Sequence, residues 1–211
     1  VARRHAAAAA DFTQAISLNR RDPRPLLHRG MIQLALGDSE AALRDFQASL
    51  QLDPHQPLAH QHRGDAFVQR KQWREAVQAY STAIESNIDL VEAHARRGLA
   101  LARGGSPQAA LVELTKAAGR IRFDLAFAGL FETRGRIFYG MRQFARAVDD
   151  YSIAANLVPE KYDLAPLHLA WGQALWHAGA KDEAKEKFAR AIELRPESPA
   201  AQRLAEWLRE G

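Results

Sequence analysis

Residues 57–90, PLAHQHRGDAFVQRKQWREAVQAYSTAIESNIDL, contain the pattern that decides the fold. Gly64 lies in the first half, and Ala76, Tyr80 and Ala83 follow in the second half at spacings of four and three residues. Residues at those spacings lie on one face of an α-helix. The glycine and the alanines are small enough to let two helices approach closely, and the tyrosine fills the space between them. The stretch therefore predicts a pair of closely packed helices.

The same pattern recurs along most of the chain. Glycines recur at intervals of 34 and then 37 residues, at Gly30, Gly64, Gly98, Gly135 and Gly172. Alanines keep the same register at Ala8, Ala42, Ala76, Ala110, Ala147 and Ala184. Four residues after each alanine stands a large apolar residue, namely Phe12, Phe46, Tyr80, Leu114, Tyr151 and Phe188. Prolines are expected to end three second helices, at Pro54, Pro159 and Pro196. Several positions that share one period predict a helical repeat array.

This pattern resembles the tetratricopeptide repeat family, whose units join a first helix carrying a glycine to a second helix carrying Ala-x3-aromatic-x2-Ala and a closing proline. The resemblance implies an all-α fold, a right-handed superhelical solenoid of antiparallel helix pairs with about 12 helices. It divides one solenoid domain into the second helix of an incomplete first repeat, five complete repeats and a capping helix, with bounds 1–22, 23–56, 57–90, 91–124, 125–161, 162–198 and 199–211.

Both ends of the array carry expectations of their own. The last helix is expected to cap the array with an apolar face formed by Leu204, Trp207 and Leu208. The amino end begins in half a repeat and without an initiator methionine. We expect either that upstream sequence has been removed or that this edge docks on another chain. Four polar residues are expected to cap helices, Ser39 and Asp182 before second helices and Asp124 and Asp163 before first helices.

The composition argues against several kinds of chemistry. The chain has 211 residues, 47% of them hydrophobic, and no cysteine, which excludes disulfides, zinc–thiolate sites and cysteine nucleophiles. A formal net charge of +4 does not by itself indicate nucleic acid. No apolar run approaches the roughly 18 residues of a membrane span. His60 and His62 are two residues apart and point to different helix faces, so no metal pair is expected. With no catalytic motif present, the sequence predicts no enzyme, metal or cofactor.

The resemblance implies that a partner binds in the groove lined by the first helices. The matching positions form the predicted site, which consists of His28, Met31, Gln61, His62, Asp65, Arg96, Leu99, Arg103, Glu132, Arg136, Tyr139, Gln173, Trp176 and His177. Three arginines, Arg96, Arg103 and Arg136, are expected to meet an acidic peptide or a terminal carboxylate. The alternative is that they pair with carboxylates of the chain itself, at Glu92, Glu132 and Asp65.

The aromatic and repeated basic residues have separate interpretations. Tyr139 and Trp176 are expected as anchors for a partner, although Trp176 has the alternative of packing inside its own helix pair. An arginine precedes the repeat glycine four times and is expected to pack its stem and pair locally, at Arg29, Arg63, Arg97 and Arg134. One subclass of the family binds the carboxyl-terminal tails of chaperones with a clamp of Lys, Asn and Arg. Here Leu27 and Met31 occupy the Lys and Asn places in the first complete repeat, so this sequence does not carry the clamp.

Three hypotheses follow for function. The leading one is a protein-interaction scaffold that binds a peptide or a partner protein in its groove, in the cytoplasm and away from membranes. The second is a regulatory or oligomerising segment of a larger protein, with self-association through the uncapped amino edge. Nucleic-acid binding is the third and the least favoured, because it requires a continuous basic stripe with aromatic stacking partners.

Overall fold

The computed structural model describes residues 2–87, 90–120, 127–159 and 162–210. This part of the chain contains twelve α-helices and no strand, which confirms the all-α prediction. The helices are α1 (Ala2–Leu18), α2 (Pro23–Ala35), α3 (Ser39–Leu52), α4 (Pro57–Gln69), α5 (Trp73–Ser86), α6 (Val91–Arg103), α7 (Pro107–Ala118), α8 (Ala128–Gly140), α9 (Phe144–Leu157), α10 (Ala165–Ala178), α11 (Lys181–Leu194) and α12 (Pro199–Glu210).

The chain forms two compact units, residues 1–113 and residues 114–211. In unit 1, α2 packs on α3 and α4 packs on α5. The first helices also contact each other, α2 with α4 and α4 with α6. In unit 2, α8 packs on α9, α10 packs on α11, and α12 packs on α11. Within each unit, helix pairs therefore stack side by side, as the resemblance implied. The exact repeat bounds stay a prediction.

A glycine and an aromatic ring form the joint inside each of four helix pairs. A Cβ atom on Gly64 would come within 2.5 Å of the Tyr80 ring, and one on Gly30 would come within 2.7 Å of the Phe46 ring. The corresponding distances in unit 2 are 2.9 Å for Gly135 and Tyr151 and 2.5 Å for Gly172 and Phe188. Both rings named in unit 1 are almost completely buried. Glycine is required here because any side chain would occupy the volume that the ring fills.

The helix ends follow local chemistry, with two differences from the sequence expectations. The second helices α3, α9 and α11 each end two residues before a proline, as expected. Asp38, not Ser39, caps α3, because its carboxylate accepts a hydrogen bond from the Ala41 N–H at 2.9 Å. Asp182 lies inside the first turn of α11, where the cap residue Ala180 offers no side-chain acceptor. Asp163 accepts from the Ala165 N–H at 3.1 Å, and Asp124 lies outside the described residues.

Three of the four repeated arginines form local ion pairs, as predicted. Each reaches a carboxylate 16 residues further along the chain, on the second helix of the same pair. The pairs are Arg29 with Asp45 at 2.7 Å, Arg97 with Glu113 at 2.6 Å, and Arg134 with Asp150 at 2.6 Å. The arginines thus hold the two helices of a pair together beside the glycine–aromatic joint.

Arg63 is the exception among these arginines. The residue 16 positions later is Ala79, and the Nε of Arg63 is buried without a hydrogen-bond partner in the described chain. Burial lowers the pKa of the Arg63 guanidinium below its ordinary value. At the same place in the fifth repeat, Trp171 replaces the arginine, and the Lys187 ammonium lies 4.3 Å from the centre of its ring.

Candidate functional site

The predicted site residues all belong to the first helices of the pairs. They form two groups, one on α2, α4 and α6 in unit 1 and one on α8 and α10 in unit 2. We name each group the first-helix face of its unit.

Asp65 is the centre of the first-helix face in unit 1. One carboxylate oxygen accepts hydrogen bonds from the Tyr80 hydroxyl and from Nη1 of Arg96, both at 2.7 Å, and the other oxygen lies 3.1 Å from Nδ1 of His62. Burial would raise the pKa of Asp65, but the His62 ring, the Arg96 charge and the Tyr80 hydroxyl together lower it. Burial and the nearby Asp65 charge raise the pKa of Tyr80. Asp65 is therefore a fixed anion that joins α4, α5 and α6.

The alternative expectation for the arginines describes two of the three. Besides its bond to Asp65, Arg96 lies 3.6 Å from Glu92, one turn earlier in α6. Arg136 lies 3.3 Å from Glu132 in the same arrangement on α8. Both pairs are partly solvent-exposed, so each contributes little to stability and leaves the guanidinium accessible. Their charges are already compensated within the chain.

Gln61 lies beneath these charges and is almost completely buried. Its Nε2 donates a hydrogen bond to the Glu92 carboxylate at 3.2 Å. Its Oε1 is buried and has no hydrogen-bond partner in the part of the chain that the structure describes. The amide thus links α4 to α6 and helps to fix the position of Glu92.

The remaining residues of this face rest on aromatic and apolar neighbours. His28 stacks on Phe12 with ring centres 5.4 Å apart, and His62 stacks on Phe46 at 6.1 Å. Met31 packs against the core of the first complete repeat. Each histidine thus covers the aromatic ring of the preceding second helix, which fixes the orientation of its ring.

Arg103 differs from the other two predicted arginines. It is exposed at the end of α6, and its guanidinium lies 5.8 Å from the centre of the Trp73 ring. It makes no ion pair with any residue that the structure describes. A guanidinium over an aromatic ring keeps its planar fork of donors open to an approaching anion.

An aromatic cluster lies on the first-helix face of unit 2. The rings of Tyr139 and His177 are 5.7 Å apart, edge to face, and both contact Phe144 at the start of α9. The predicted site includes Tyr139 and His177 but not Phe144. The sequence does indicate an aromatic residue at that position, because Phe144 stands in the same repeat position as Trp73.

Trp176 packs against the carboxyl-terminal helix. Its ring meets that of Trp207 edge to face with centres 4.6 Å apart, and Trp207 also contacts Phe188 at 5.9 Å. The alternative of packing inside its own helix pair is confirmed, because Trp176 packs against the core that Leu175, Ala184 and Phe188 form between α10 and α11. The contact with α12 adds to this packing. A cavity of about 150 Å³ remains beside this contact, and its lining includes Gln173, Trp176 and His177.

The described residues hold no group of three or more His, Cys, Asp or Glu side chains that could bind a metal ion. Among the same residues, no helix combines the length and the apolar character that crossing a bilayer requires.

Comparison with known proteins identifies the family. The tetratricopeptide repeat family's sequence profile matches residues 1–57 and 133–199, and a second profile described as TPR repeat matches residues 64–105. The chain belongs to the tetratricopeptide repeat family.

Two curated relatives match parts of the chain. It is 33% identical over 90 residues to Tetratricopeptide repeat protein 13 of Homo sapiens, which is 43% of this chain and 10% of that protein. It is 25% identical over 116 residues to Hsp70-Hsp90 organizing protein 3 of Arabidopsis thaliana, which is 55% of this chain and 20% of that protein. The chain thus matches only a tenth and a fifth of the length of these relatives.

Solved structures share the fold. PilF of Pseudomonas aeruginosa superimposes with a TM-score of 0.83 at 16% identity, covering 99% of this chain and 90% of that one. YrrB, described as a TPR protein with an unusual peptide-binding site, superimposes with a TM-score of 0.76 at 20% identity, covering 94% and 99%. At these identities the likeness concerns the helical architecture alone.

Proposed function

We propose that the chain is a non-catalytic interaction module that binds an extended peptide segment of a partner protein along its first-helix faces. The observation that carries this proposal is the cavity of about 150 Å³ in unit 2, which three predicted site residues line together with apolar side chains. A small apolar cavity with a few polar groups at its edge suits one anchoring side chain of a peptide. Family membership supports the same class of function.

The first-helix face of unit 1 supplies the polar part of the proposed site. Asp65, Arg96 and Gln61 are held by bonds between different helices, so their positions are fixed before a ligand arrives. Fixed polar groups lose little conformational entropy on binding, which favours affinity. Because Asp65 and Glu92 compensate Arg96, this face suits a peptide with mixed polar groups better than a purely acidic one.

The experiment is a selection followed by titration. A random-peptide phage library is selected on the immobilised chain, and the enriched peptide is labelled with fluorescein and titrated by polarisation. Gln173→Arg places a long side chain at the cavity, and Arg96→Ala removes a polar contact. Each should weaken binding by at least about tenfold, which is about 1.4 kcal/mol.

Arg44→Ala is the matched control for Arg96→Ala. Arg44 pairs with Glu40 one turn earlier, as Arg96 pairs with Glu92, but it lies on the second helix α3. Its removal should leave the affinity unchanged. Failure to enrich any peptide, or equal affinity for all four proteins, would contradict binding along the first-helix faces.

The second candidate, an oligomerising segment of a longer protein, is favoured by α1. Its repeat positions Ala8, Phe12 and Ala15 are only half-buried, whereas the matching Ala42 and Phe46 of α3 are fully buried. A second copy of the chain could cover this face. Multi-angle light scattering of the chain tests this directly, and a monomer at all accessible concentrations would exclude self-association through α1.

A further inference from the structure

The turns inside the helix pairs contain two basic residues in an unusual conformation. The turn residue has a positive φ in all five pairs, and three of the five are glycines, Gly37, Gly105 and Gly179. The other two are Lys71 with φ 57° and Arg142 with φ 60°. A residue with a side chain costs roughly 1 kcal/mol or more in this region, which glycine adopts freely. The two positions therefore carry a positive charge at a cost that the other three turns avoid.

The two basic turns share the same surroundings. In unit 1, Lys71, the half-buried Trp73 and the exposed Arg74 line a cavity of about 610 Å³ whose far side is formed by the end of α6. In unit 2, Arg142, Phe144 and Arg146 line a cavity of about 530 Å³ next to Ala178 at the end of α10. We name these two groups the turn clusters. Lys71 corresponds to Arg142 and Trp73 to Phe144 in repeat position, two repeats apart, and the one turn between them contains Gly105. The second cation differs, because Arg74 aligns with Ala145 and Arg146 aligns with Glu75.

The basic groups of the turn clusters lack carboxylate partners within the described residues, although the Arg146 guanidinium lies 5.6 Å from the centre of the Phe138 ring. Within the described residues, no ion pair involves Lys71, Arg74 or Arg142. The only carboxylate in either cavity lining is that of Glu75, in unit 1. Arg146 donates a hydrogen bond to the Gln143 amide oxygen at 3.0 Å and makes no ion pair either. The first-helix arginines Arg96 and Arg136 differ, because carboxylates of the chain already compensate them.

Each aromatic residue of a turn cluster carries a basic side chain on its ring. The Arg103 guanidinium lies 5.8 Å from the Trp73 ring centre, and the His177 ring stacks on Phe144 at 5.0 Å with 21° between the planes. These contacts place Arg103 and His177 against the aromatic residue of each turn cluster. They also cover ring faces that the bases of a single-stranded nucleic acid would need for stacking.

We propose that the two turn clusters are sites for carboxylate side chains of an acidic peptide segment on a partner protein. The guanidinium of Arg74 or Arg142, which forms no ion pair within the described residues, matches a carboxylate in two parallel hydrogen bonds. Each cavity has room for more than one side chain. These sites lie at the turns and adjoin the first-helix faces through Arg103, Tyr139 and His177, but Lys71 and Arg142 lie outside those faces, so the proposal goes beyond peptide binding along them.

The test replaces the two strained residues by the residue that the other turns contain. The double variant Lys71→Gly with Arg142→Gly removes two charges and relieves the backbone, so its melting temperature should equal or exceed that of the wild type. The probe is a fluorescein-labelled peptide of alternating glutamate and alanine, titrated by polarisation. The double variant should bind this peptide at least about tenfold more weakly, since two charged contacts are lost.

The matched control removes the same charge elsewhere. Arg44→Gln with Lys185→Gln takes one exposed cation from a second helix of each unit and should retain wild-type affinity. An equal loss in both double variants would overturn the proposal, because binding would then depend on net charge alone. Wild-type affinity in the Lys71→Gly, Arg142→Gly variant would also overturn it.

Two further arms separate this proposal from other possibilities. A labelled single-stranded oligonucleotide that binds the turn clusters more tightly than the acidic peptide would overturn the choice of a peptide. The phage-selected peptide of the preceding experiment should keep its affinity for the Lys71→Gly, Arg142→Gly variant. If the phage-selected peptide fails to bind in both experiments, the result counts against the first-helix faces. If only the glutamate peptide loses affinity for the variant, the result supports the turn clusters.

Discussion

Arg134 and Asp150 are joined by two parallel hydrogen bonds, of 2.8 Å from Nε and 2.6 Å from Nη2, which tie α8 to α9. The same guanidinium lies over the rings of Phe131 and Phe138, at 5.4 and 5.8 Å from their centres. The Asp150 side chain is only 3% exposed, so its charge depends on this one partner. The pair also stands next to the joint between Gly135 and Tyr151, which places polar and apolar contacts side by side.

Removal of Arg134 should therefore destabilise unit 2 strongly. Arg134→Met leaves a buried, uncompensated carboxylate, and we expect the free energy of unfolding to fall by about 3 kcal/mol in urea titrations. Arg136→Met, two residues away, breaks only an exposed pair and should cost less than about 0.5 kcal/mol. Similar losses in the two variants would show that the Arg134–Asp150 pair is solvated.

A carboxylate opposite Arg63 should increase the free energy of unfolding. Ala79→Asp places one 16 residues after Arg63, the spacing at which the other three repeated arginines meet their carboxylates. In a double-mutant cycle with Arg63→Met, the coupling energy should be about 2 kcal/mol. Ala79→Asp alone should be neutral or stabilising, and it should destabilise the Arg63→Met protein. An equal effect in both backgrounds would mean that Arg63 does not reach residue 79.

The glycine–aromatic joint should tolerate no extra methyl group. We expect Gly30→Ala to reduce the free energy of unfolding by about 1–3 kcal/mol, because the new Cβ overlaps the Phe46 ring. The penalty should shrink in a Phe46→Leu background, since Leu114 occupies that position in another repeat.

Gly129 provides the control for this substitution. It lies in α8, and nothing stands within 4 Å of a Cβ built on it. Gly129→Ala should therefore stabilise the protein by about 0.5–1 kcal/mol through helix propensity. A destabilising Gly129→Ala would indicate that packing is not what distinguishes the two glycines.

Two histidines, the buried His60 and the half-buried His168, should make stability depend on pH. Burial lowers the pKa of His60 and His168 below the ordinary value of 6.5, and neighbouring positive charges act in the same direction. The unfolded chain therefore takes up protons more readily than the folded one, so stability falls as pH drops below about 6.5. The loss levels off once the pH lies below the folded-state pKa.

The measurement is urea unfolding across this pH range. His60→Leu with His168→Phe introduces the residues found at the same position in other repeats, Leu26 and Phe131, and should flatten the dependence. His28→Gln changes an exposed histidine that does not act on the pKa of His60 or His168, and it should leave the wild-type slope in place. If the slope persists in the double variant, other groups cause it.

Sequence alone could predict the helix pairs because their determinants lie at fixed spacings. The repeat glycine and its large apolar partner are always 16 positions apart, as Gly64 and Tyr80 are, so the repetition itself indicates which residues meet between the helices. The cap of α3 could not be fixed in this way, since Asp38 and Ser39 are adjacent and both suit the role. Only the backbone geometry selects Asp38.

The sequence predicts the carboxylate partners of the first-helix arginines as a set, Glu92, Glu132 and Asp65, but not which arginine meets which carboxylate. Arg96 meets Asp65 across 31 residues, on another helix, and the chain offers several carboxylates of equal chemical suitability. A repeat pattern gives the face of a helix but not which charge on that face is nearest. Lys71 and Arg142, in contrast, could have been found from the sequence by aligning them with Gly37, Gly105 and Gly179.

The contact between Trp176 and Trp207 gives the chain an intrinsic optical label at its carboxyl end. Two indoles with ring centres 4.6 Å apart should couple through their strong far-ultraviolet transitions and give a paired circular dichroism band that a single indole does not show. Undocking of α12 would abolish that band while leaving most of the helical signal intact. Fraying of this end can thus be distinguished from global unfolding without any added dye.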